Sequence, residues 1–131
     1  MSAEALVVMV GGMRCALPME RVVEVRVHEP VTRVPGAPEW VCGIVEREGA
    51  PVEVFDAARR LGLSTAAERP CLIFFERAAM LVGDVDRLIA RRPAAGECAL
   101  RELVLELIED EGAALPLLDV DAFFDDPKER A

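Results

Sequence analysis

Short apolar runs bounded by glycine or proline occupy most of the chain, and this pattern predicts β-strands. Residues 6–10 lead into Gly11-Gly12, a dipeptide typical of a tight hairpin turn, and a second apolar run returns from it. Pro18 has the φ angle of a first helical turn and no N–H to leave unpaired there. We therefore expect a hairpin, a short helix over residues 19–23 and then an extended segment.

A second hairpin is predicted in the middle of the chain. Residues 41–47 form an apolar run that ends at Glu48-Gly49, and a second apolar run follows this turn. Gly36, Gly43 and Gly49 occupy turns or a strand where the backbone freedom of glycine is useful. We interpret these three glycines as structural residues.

One phrase of the sequence occurs twice, at residues 49–57 and 112–120. In both copies a glycine is followed by a short apolar strand, an aspartate and the start of a helix. Asp56 and Asp119 are the predicted helix N-caps, and Gly62 is placed to end the first helix. The repetition predicts two similar units.

A fainter echo pairs residues 19–23 with residues 85–89, in the same order along the chain. Two echoes in one order favour two half-domains, each with a few strands and one short helix. We expect subdomain 1 to span about 5–63, a linker to span 64–69 and subdomain 2 to span about 70–124. Between 99 and 108 the apolar spacing fits a helix, but the repeat favours a strand from about Leu103, and we predict the strand.

Length and composition indicate one domain over residues 1–131, with a polar tail at 125–131. The chain is 53 % hydrophobic, enough for a core of its own, yet has no apolar run of about 18 residues that would span a membrane. Its first residues lack the basic start of a secretory signal, so a cytoplasmic location is expected. The net charge of −9 argues against nucleic acid and anionic membranes as partners.

The sequence gives little support for a metal site or for redox chemistry. The cysteines are far apart, no CxxC pair exists and the only histidine is His28, so neither a zinc site nor any cofactor is expected. Each thiol is interpreted as free and as a small apolar group. The cysteines are Cys15, Cys42, Cys71 and Cys98.

Catalytic residues are equally hard to assign. A Ser/His/Asp or Cys/His set would have to use His28, which lies in a predicted loop. The carboxylate pairs Asp84/Asp86 and Asp119/Asp121 have the chemistry of a general acid and base or of a cation site. Because they adjoin apolar strands and helix starts, we interpret them as caps, and no enzyme activity is predicted.

Three stretches in a fixed order carry a family resemblance: residues 16–25, 34–45 and 52–63 together resemble CheW, the coupling protein of bacterial chemosensory arrays. The resemblance implies a mainly β fold of two small five-stranded SH3-like β-barrels with short helices. It also implies a non-enzymatic adaptor that joins the regulatory domain of a histidine kinase to the cytoplasmic tip of a chemoreceptor or to a related signalling protein. In the family an edge of the first barrel meets the kinase, and a groove between the barrels receives the receptor.

One hairpin departs from the family pattern. The family often has Asn-Leu-Arg-Gly, with an arginine implicated in signalling contacts, where this chain has Glu46-Arg47-Glu48-Gly49. Glu48 thus replaces the arginine, and Glu53 replaces a proline of the following strand. Either the reversed charge changes partner choice, giving a divergent copy of the adaptor, or Glu48 is only a solvated turn residue.

Trp40 is either an interface anchor or a plug at the end of a barrel. The candidate partner-binding residues are Val25, Trp40, Glu46, Arg47, Glu48, Gly49 and Glu53, and the candidate structural residues are Pro18, Gly36, Gly43, Asp56, Gly62 and Asp119. A rival function of another class is a small-ligand-binding β-barrel or a carboxylate-dependent enzyme. That rival requires a closed apolar pocket with convergent polar groups.

Overall fold

The structure, a computed structural model, describes residues 3–27, 31–64, 70–98 and 101–125. In these ranges the strands are β1 (Glu4–Val10), β2 (Met13–Pro18), β3 (Glu24–Val27), β4 (Val41–Arg47), β5 (Ala50–Asp56), β6 (Cys71–Phe74), β7 (Ala79–Val82), β8 (Asp84–Ala90), β9 (Val104–Asp110) and β10 (Ala113–Leu118). The helices are α1 (Ala57–Arg60) and α2 (Val120–Phe124), and 3₁₀ turns span Met19–Arg21 and Arg101–Leu103.

The predicted mainly β fold is confirmed, together with the first two hairpins and the strand from about Leu103. β8 is a strand that the sequence pattern did not predict. His28, residues 65–69 of the predicted linker and residues 126–131 of the tail lie outside the described residues. Among the helices that the structure describes, none is long and apolar enough to cross a membrane.

The strands form two five-stranded sheets, and these do not follow the predicted division of the chain. Sheet 1 has the order β8-β1-β2-β10-β9, and sheet 2 has the order β3-β6-β7-β5-β4. Sheet 2 is therefore built from one continuous stretch, β3 to β7, whereas sheet 1 combines the first two strands with the last three. The boundary predicted at 64–69 is wrong as a division between sheets, because β1 and β2 find their outer partners in β8 and β10.

The predicted closed barrels need a similar correction. In both sheets the strand ladders are open, with β8 and β9 at the edges of sheet 1 and β3 and β4 at the edges of sheet 2. Within the described residues an isolated β-bridge joins Thr32, which follows β3, to Ile44 of β4, and another joins Pro93, which follows β8, to Ile108 of β9. Each sheet is thus a five-stranded open ladder in which the segment after one edge strand approaches the other edge strand.

The repeated phrase corresponds to a repeated structure. Residues 49–57 contain β5 and the start of α1, and residues 112–120 contain β10 and the start of α2. Asp56 accepts a hydrogen bond from the N–H of Arg59, and Asp119 accepts one from Ala122, both at 3.3 Å, so the two predicted N-caps are present. The fainter echo is not structural: Met19–Arg21 is a 3₁₀ turn, whereas the matching residues lie in β8.

The end of α1 is also as predicted. The N–H of Leu63 donates to the carbonyl of Ala58 (2.7 Å) and the N–H of Gly62 donates to that of Arg59 (3.0 Å), which is the Schellman arrangement. It requires a left-handed residue, and Gly62 has φ of +77°. Pro18, with φ of −61°, ends β2 and starts the first 3₁₀ turn.

The core has three parts. The largest lies between the two sheets and includes Val8, Leu17, Ile73, Met80 and Phe123. Because side chains alternate along each strand, the opposite face of each sheet buries a smaller group. The smaller groups are Ala5, Val7, Ala16, Ile108, Leu115 and Leu117 in sheet 1, and Val45, Val54, Leu72, Phe74 and Ala79 in sheet 2.

Candidate partner-binding surface

The hairpin between β4 and β5 holds most of the candidate partner-binding residues. Its two-residue turn consists of Glu48 and Gly49, whose φ angles are +52° and +80°. Positive φ at both positions is the requirement of a type I′ turn, which matches the twist of the flanking strands. Gly49 adopts this conformation freely, whereas Glu48 carries a side chain there, and that side chain is exposed.

Three carboxylates lie on the outer side of this hairpin. Glu46, Glu48 and Glu53 are all exposed, and we call them the acidic tip. Ile44 pairs with Glu53 across the ladder, and alternation along β4 puts Ile44 on the same outward face as Glu46. The acidic tip therefore faces solvent beside an apolar side chain.

Arg47, another candidate, turns away from the acidic tip. Its guanidinium carbon lies 5.8 Å from the centre of the Phe74 ring, and its Nε lies 3.8 Å from a carboxylate oxygen of Glu24. Arg26 lies over the same ring at 4.6 Å and donates from Nε to Glu24 at 2.7 Å. The two arginines cover one end of the interior of sheet 2, so the charge of Arg47 is already engaged within the domain.

An apolar row lies on the edge strand next to this end. Val23, Val25 and Val27 are exposed by 49 %, 39 % and 57 %, and we call them the valine edge. β3 pairs with β6 on one side only, and Arg26 Nη1 donates to the carbonyl of Glu46 at 3.1 Å, which joins the strand to the hairpin. Sequence reasoning identified Val25 but missed its two neighbours. Their spacing of two residues was visible, but alternation alone does not tell which face is covered.

Trp40 lies at the far end of β4, away from the acidic tip. It is half-buried, its carbonyl accepts a hydrogen bond from the N–H of Asp56, and its ring lies 5.3 Å from the guanidinium carbon of Arg60. A seven-residue strand separates Trp40 from Glu48, a span of roughly 20 Å. The structure therefore brings Val25 close to the acidic tip but leaves Trp40 apart.

A groove of about 530 Å³ lies between β5, the turn after β6, the 3₁₀ turn Met19–Arg21 and α2. Phe124 of α2 packs there against Phe55 of β5 and against Phe75, which follows β6, at centroid distances of 5.0 Å and 5.5 Å. Glu53 of the acidic tip also lines it. The groove thus continues the outward face of the β4–β5 hairpin towards sheet 1.

The corresponding hairpin of sheet 1 carries a cluster of ion pairs. Asp110 is buried and accepts hydrogen bonds from Arg14 and from Arg87, the latter at 2.7 and 2.9 Å. The guanidinium of Arg87, with that of Arg14, holds the pKa of Asp110 below its usual range. Asp110 correspondingly raises the pKa of Arg87.

The carboxylates considered for catalysis have structural partners. Asp84 accepts from the N–H of Val85, Asp86 lies 3.8 Å from Arg14, and Asp121 forms two hydrogen bonds with Arg21. Among the residues described, no group of three or more His, Cys, Asp or Glu side chains is arranged to hold a metal ion. Asp119 caps α2 as predicted, whereas Asp84 accepts a backbone hydrogen bond at the start of β8, and Asp86 and Asp121 pair with arginines.

The four cysteines are free thiols. Burial, aided by the nearby Cys98, raises the pKa of the Cys15 thiol to about 12. Burial likewise raises the pKa of Cys42 to about 11, with a further contribution from Asp56. Both thiols are therefore protonated near neutral pH and are weak nucleophiles.

Comparison with known proteins identifies the family. The family model of the CheW-like domain matches residues 4–128. The chain belongs to the CheW-like domain family. The match runs from β1 through α2, so the CheW-like domain includes both sheets and the groove beside α2.

A solved structure shows the same fold. The chain is similar to the scaffolding protein TtCheW from Thermoanaerobacter tengcongensis, with a TM-score of 0.83 and 18 % identity, over 97 % of this chain and 95 % of that one. No curated protein matches the chain. The CheW-like resemblance drawn from three short stretches of sequence is thereby confirmed over almost the whole domain.

Proposed function

We propose that this CheW-like domain is a non-enzymatic, cytoplasmic adaptor that joins the regulatory domain of a chemotaxis-type histidine kinase to a chemoreceptor tip or a related signalling protein. The family match over residues 4–128 carries the proposal. An adaptor needs two separate contact surfaces. The valine edge with Glu46 and Glu48 supplies one, and the groove, which Glu53 lines, supplies the other.

The first surface suits a folded partner. The valine edge exposes three β-branched side chains on and just before the edge strand β3, where proteins that avoid association usually place charges. The neighbouring acidic tip adds charged groups that can select among partners. We assign the kinase regulatory domain to this surface.

The groove suits a helical partner. Its lining is mainly polar, with Arg21, Arg77 and several carboxylates, and the half-buried Phe124 ring adds an apolar strip beside the buried Phe55 and Phe75. An amphipathic helix binds such a groove with its apolar side inwards and its polar side on the rim. We assign the receptor tip to the groove.

The rival function of a ligand-binding barrel or a carboxylate-dependent enzyme gains no support. The inner faces of both sheets are filled by the aliphatic and aromatic side chains of the two smaller core groups. The carboxylate pairs are engaged in caps and ion pairs. We therefore do not propose a ligand pocket within either sheet.

A reconstitution with purified components tests the adaptor role. The partners are the histidine kinase encoded nearest to this gene, with its regulatory domain, and the cytoplasmic fragment of a receptor from the same genome. Capture of the kinase on immobilised receptor fragment should require the adaptor, and light scattering should show a three-component complex. A kinase that binds neither the adaptor nor the receptor-adaptor pair would refute the proposal. Binding of one partner only would identify a divergent copy with a narrower role.

A further inference from the structure

The valine edge and the acidic tip form one surface, because two side chains connect their strands from the inner side. Arg26 donates to the carbonyl of Glu46 at 3.1 Å, and Arg47 lies 3.8 Å from Glu24. Both connections lie on the face that carries Phe74, which leaves the opposite face of β3 for the valines. A partner that covers the valine edge therefore also lies beside Glu46 and Glu48.

The charge that this surface presents to a partner is negative. Glu46, Glu48 and Glu53 are exposed on the outer side of the hairpin, whereas the nearby arginines, Arg26 and Arg47, turn inwards onto the Phe74 ring and Glu24. The whole chain has a net charge of −9, so its long-range field has the same sign. An acidic partner, or a second copy of this chain, would meet like charge here.

We propose that the valine edge and the acidic tip together bind a basic partner surface, one in which lysine or arginine side chains border an exposed apolar patch. This inference rests on the proposed adaptor function and specifies the chemistry of its kinase-facing contact. The apolar patch covers the valines, and the basic side chains pair with Glu46 and Glu48. Association is accordingly fast at low salt and weakens as salt screens the opposite charges.

Sheet 1 provides a matched control within the same molecule. Glu109 and Glu111 occupy the positions of Glu46 and Glu48 in its hairpin, are exposed, and Glu111 has φ of +50°. The edge strand beside them lacks an apolar row: β8 exposes Asp84 and Asp86, and its exposed large hydrophobic residue is Leu88. Acidic residues are thus present on both hairpins, but among the described residues a row of three exposed apolar side chains lies only beside the hairpin of sheet 2.

The test measures binding of the regulatory domain of the neighbouring kinase by calorimetry, at about 50 mM and about 500 mM salt. The variants are Glu46→Lys with Glu48→Lys, Val25→Ser, and the control Glu109→Lys with Glu111→Lys. We expect at least a roughly tenfold loss of affinity for the first two and less than about a twofold change for the control. The wild-type affinity should fall at high salt, and the Glu46/Glu48 variant should be less sensitive to salt. Urea unfolding of each variant verifies that the fold is retained.

Other results overturn the inference. Equal binding by wild type and the Glu46/Glu48 variant, or tighter binding by the variant, refutes the basic partner while leaving the adaptor function intact. No binding by the wild type refutes both. A self-association in ultracentrifugation that Val25→Ser abolishes would show that the surface binds a second copy of the chain instead.

Discussion

The two sheets of this domain share one backbone plan and differ in the chemistry of their ends. Each has a two-residue hairpin followed by a short capped helix, with equivalent positions 63 residues apart. Even the irregularity in the ladder recurs, since the register shifts around Cys42 in β4 and around Leu105 in β9. The chemistry under the hairpin differs: sheet 1 has the carboxylate of Asp110 between two arginines, and sheet 2 has two arginines over a phenyl ring.

This comparison separates what the fold requires from what a partner requires. Both sheets need turns, caps and a covered end, and they satisfy these needs with different residues. On β8, the equivalent edge strand of sheet 1, Leu88 is the only large hydrophobic side chain that is exposed. β8 therefore has no row that matches the valine edge. Because such a row lies beside only one of the two equivalent sheets among the described residues, it is better explained by binding than by folding.

The largest expected effect comes from dividing the chain. A fragment of residues 1–63 contains β1 to β5 but lacks partners for both sheets, and about 60 residues is close to the lower limit for an independent core. We expect it to show no cooperative unfolding in urea. A fragment of residues 19–83 has every strand of sheet 2 and should retain strand signal in circular dichroism, although its face towards sheet 1 is uncovered. Cooperative unfolding of the 1–63 fragment would contradict the shared construction of the two sheets.

Gly43→Ala tests a close approach between β4 of sheet 2 and the segment at Thr32. A Cβ at Gly43, where φ is +153°, would lie 2.0 Å from the carbonyl oxygen of Thr32, whose segment bridges to β4. Because that oxygen belongs to the backbone, we expect a loss of about 3 kcal/mol in the free energy of unfolding. The equivalent change in sheet 1, Glu106→Ala, removes only a partly exposed contact to Arg91 at 3.6 Å and should cost less than about 1 kcal/mol. Similar losses of unfolding free energy for both variants would show that the close contact at Gly43 does not set it apart from Glu106.

Asp110→Asn tests the covered end of sheet 1. The pKa of Asp110 is lowered in the folded state by Arg87 and Arg14, so its ionised form stabilises the fold above the pKa of the unfolded chain. This contribution disappears as the pH falls through the folded-state pKa. We expect the variant to lose about 1–2 kcal/mol at neutral pH, and the difference from wild type to shrink below about pH 4. Asp86→Asn, which changes a half-exposed carboxylate of the same cluster, is the control and should change stability by less than about 0.5 kcal/mol. A loss that does not vary with pH would contradict the ionic explanation.

The smallest expected effect tests whether the β4–β5 and β9–β10 turns are equivalent in energy. Glu48 and Glu111 both have positive φ, a conformation that asparagine accepts more readily. Glu48→Asn and Glu111→Asn should each stabilise the domain by roughly 0.5 kcal/mol, to a similar extent. Thermal unfolding of the single and double variants measures this gain and its additivity. A gain in one sheet only would mean that the turns are not equivalent in energy.

Local features of the fold were predictable because their signals lie within a few residues. Asp56 and Asp119 each have a side chain that caps the N–H three residues later, and Gly62 supplies the left-handed residue that ends α1. The repeat and the family resemblance led to the mainly β class. Strand partners were not predictable in this way, because the pairing of Ala5 with Ile89 depends on contacts between distant parts of the chain.

The candidate surface was predictable only in part. The charge of Glu48 in a hairpin turn is visible in the sequence, and so is the possibility of a contact at Val25. The inward orientation of Arg47 is not visible in the sequence, because charged side chains in strands usually face water. Only the ring of Phe74 together with Glu24 makes this inward position favourable. Val23 and Val27 were missed because a strand with alternating valines is normally expected to bury them.

The uninterrupted course of sheet 2 along the chain has a consequence for biosynthesis. Its strands are complete once residue 82 has left the ribosome, whereas sheet 1 must wait for β10, which ends at Leu118. At roughly 5–20 residues per second, the β1–β2 hairpin remains without β10 for roughly 5–20 seconds. After β7 is complete, 36 further residues, or roughly 2–7 seconds at that rate, are needed to reach Leu118, and during that time Ile73 and Met80 lack the part of their cover that Leu118 and Phe123 supply. The sheet that carries the proposed binding surface is thus the first whose strands are all synthesised, and part of its face towards sheet 1 stays uncovered until the last strands follow.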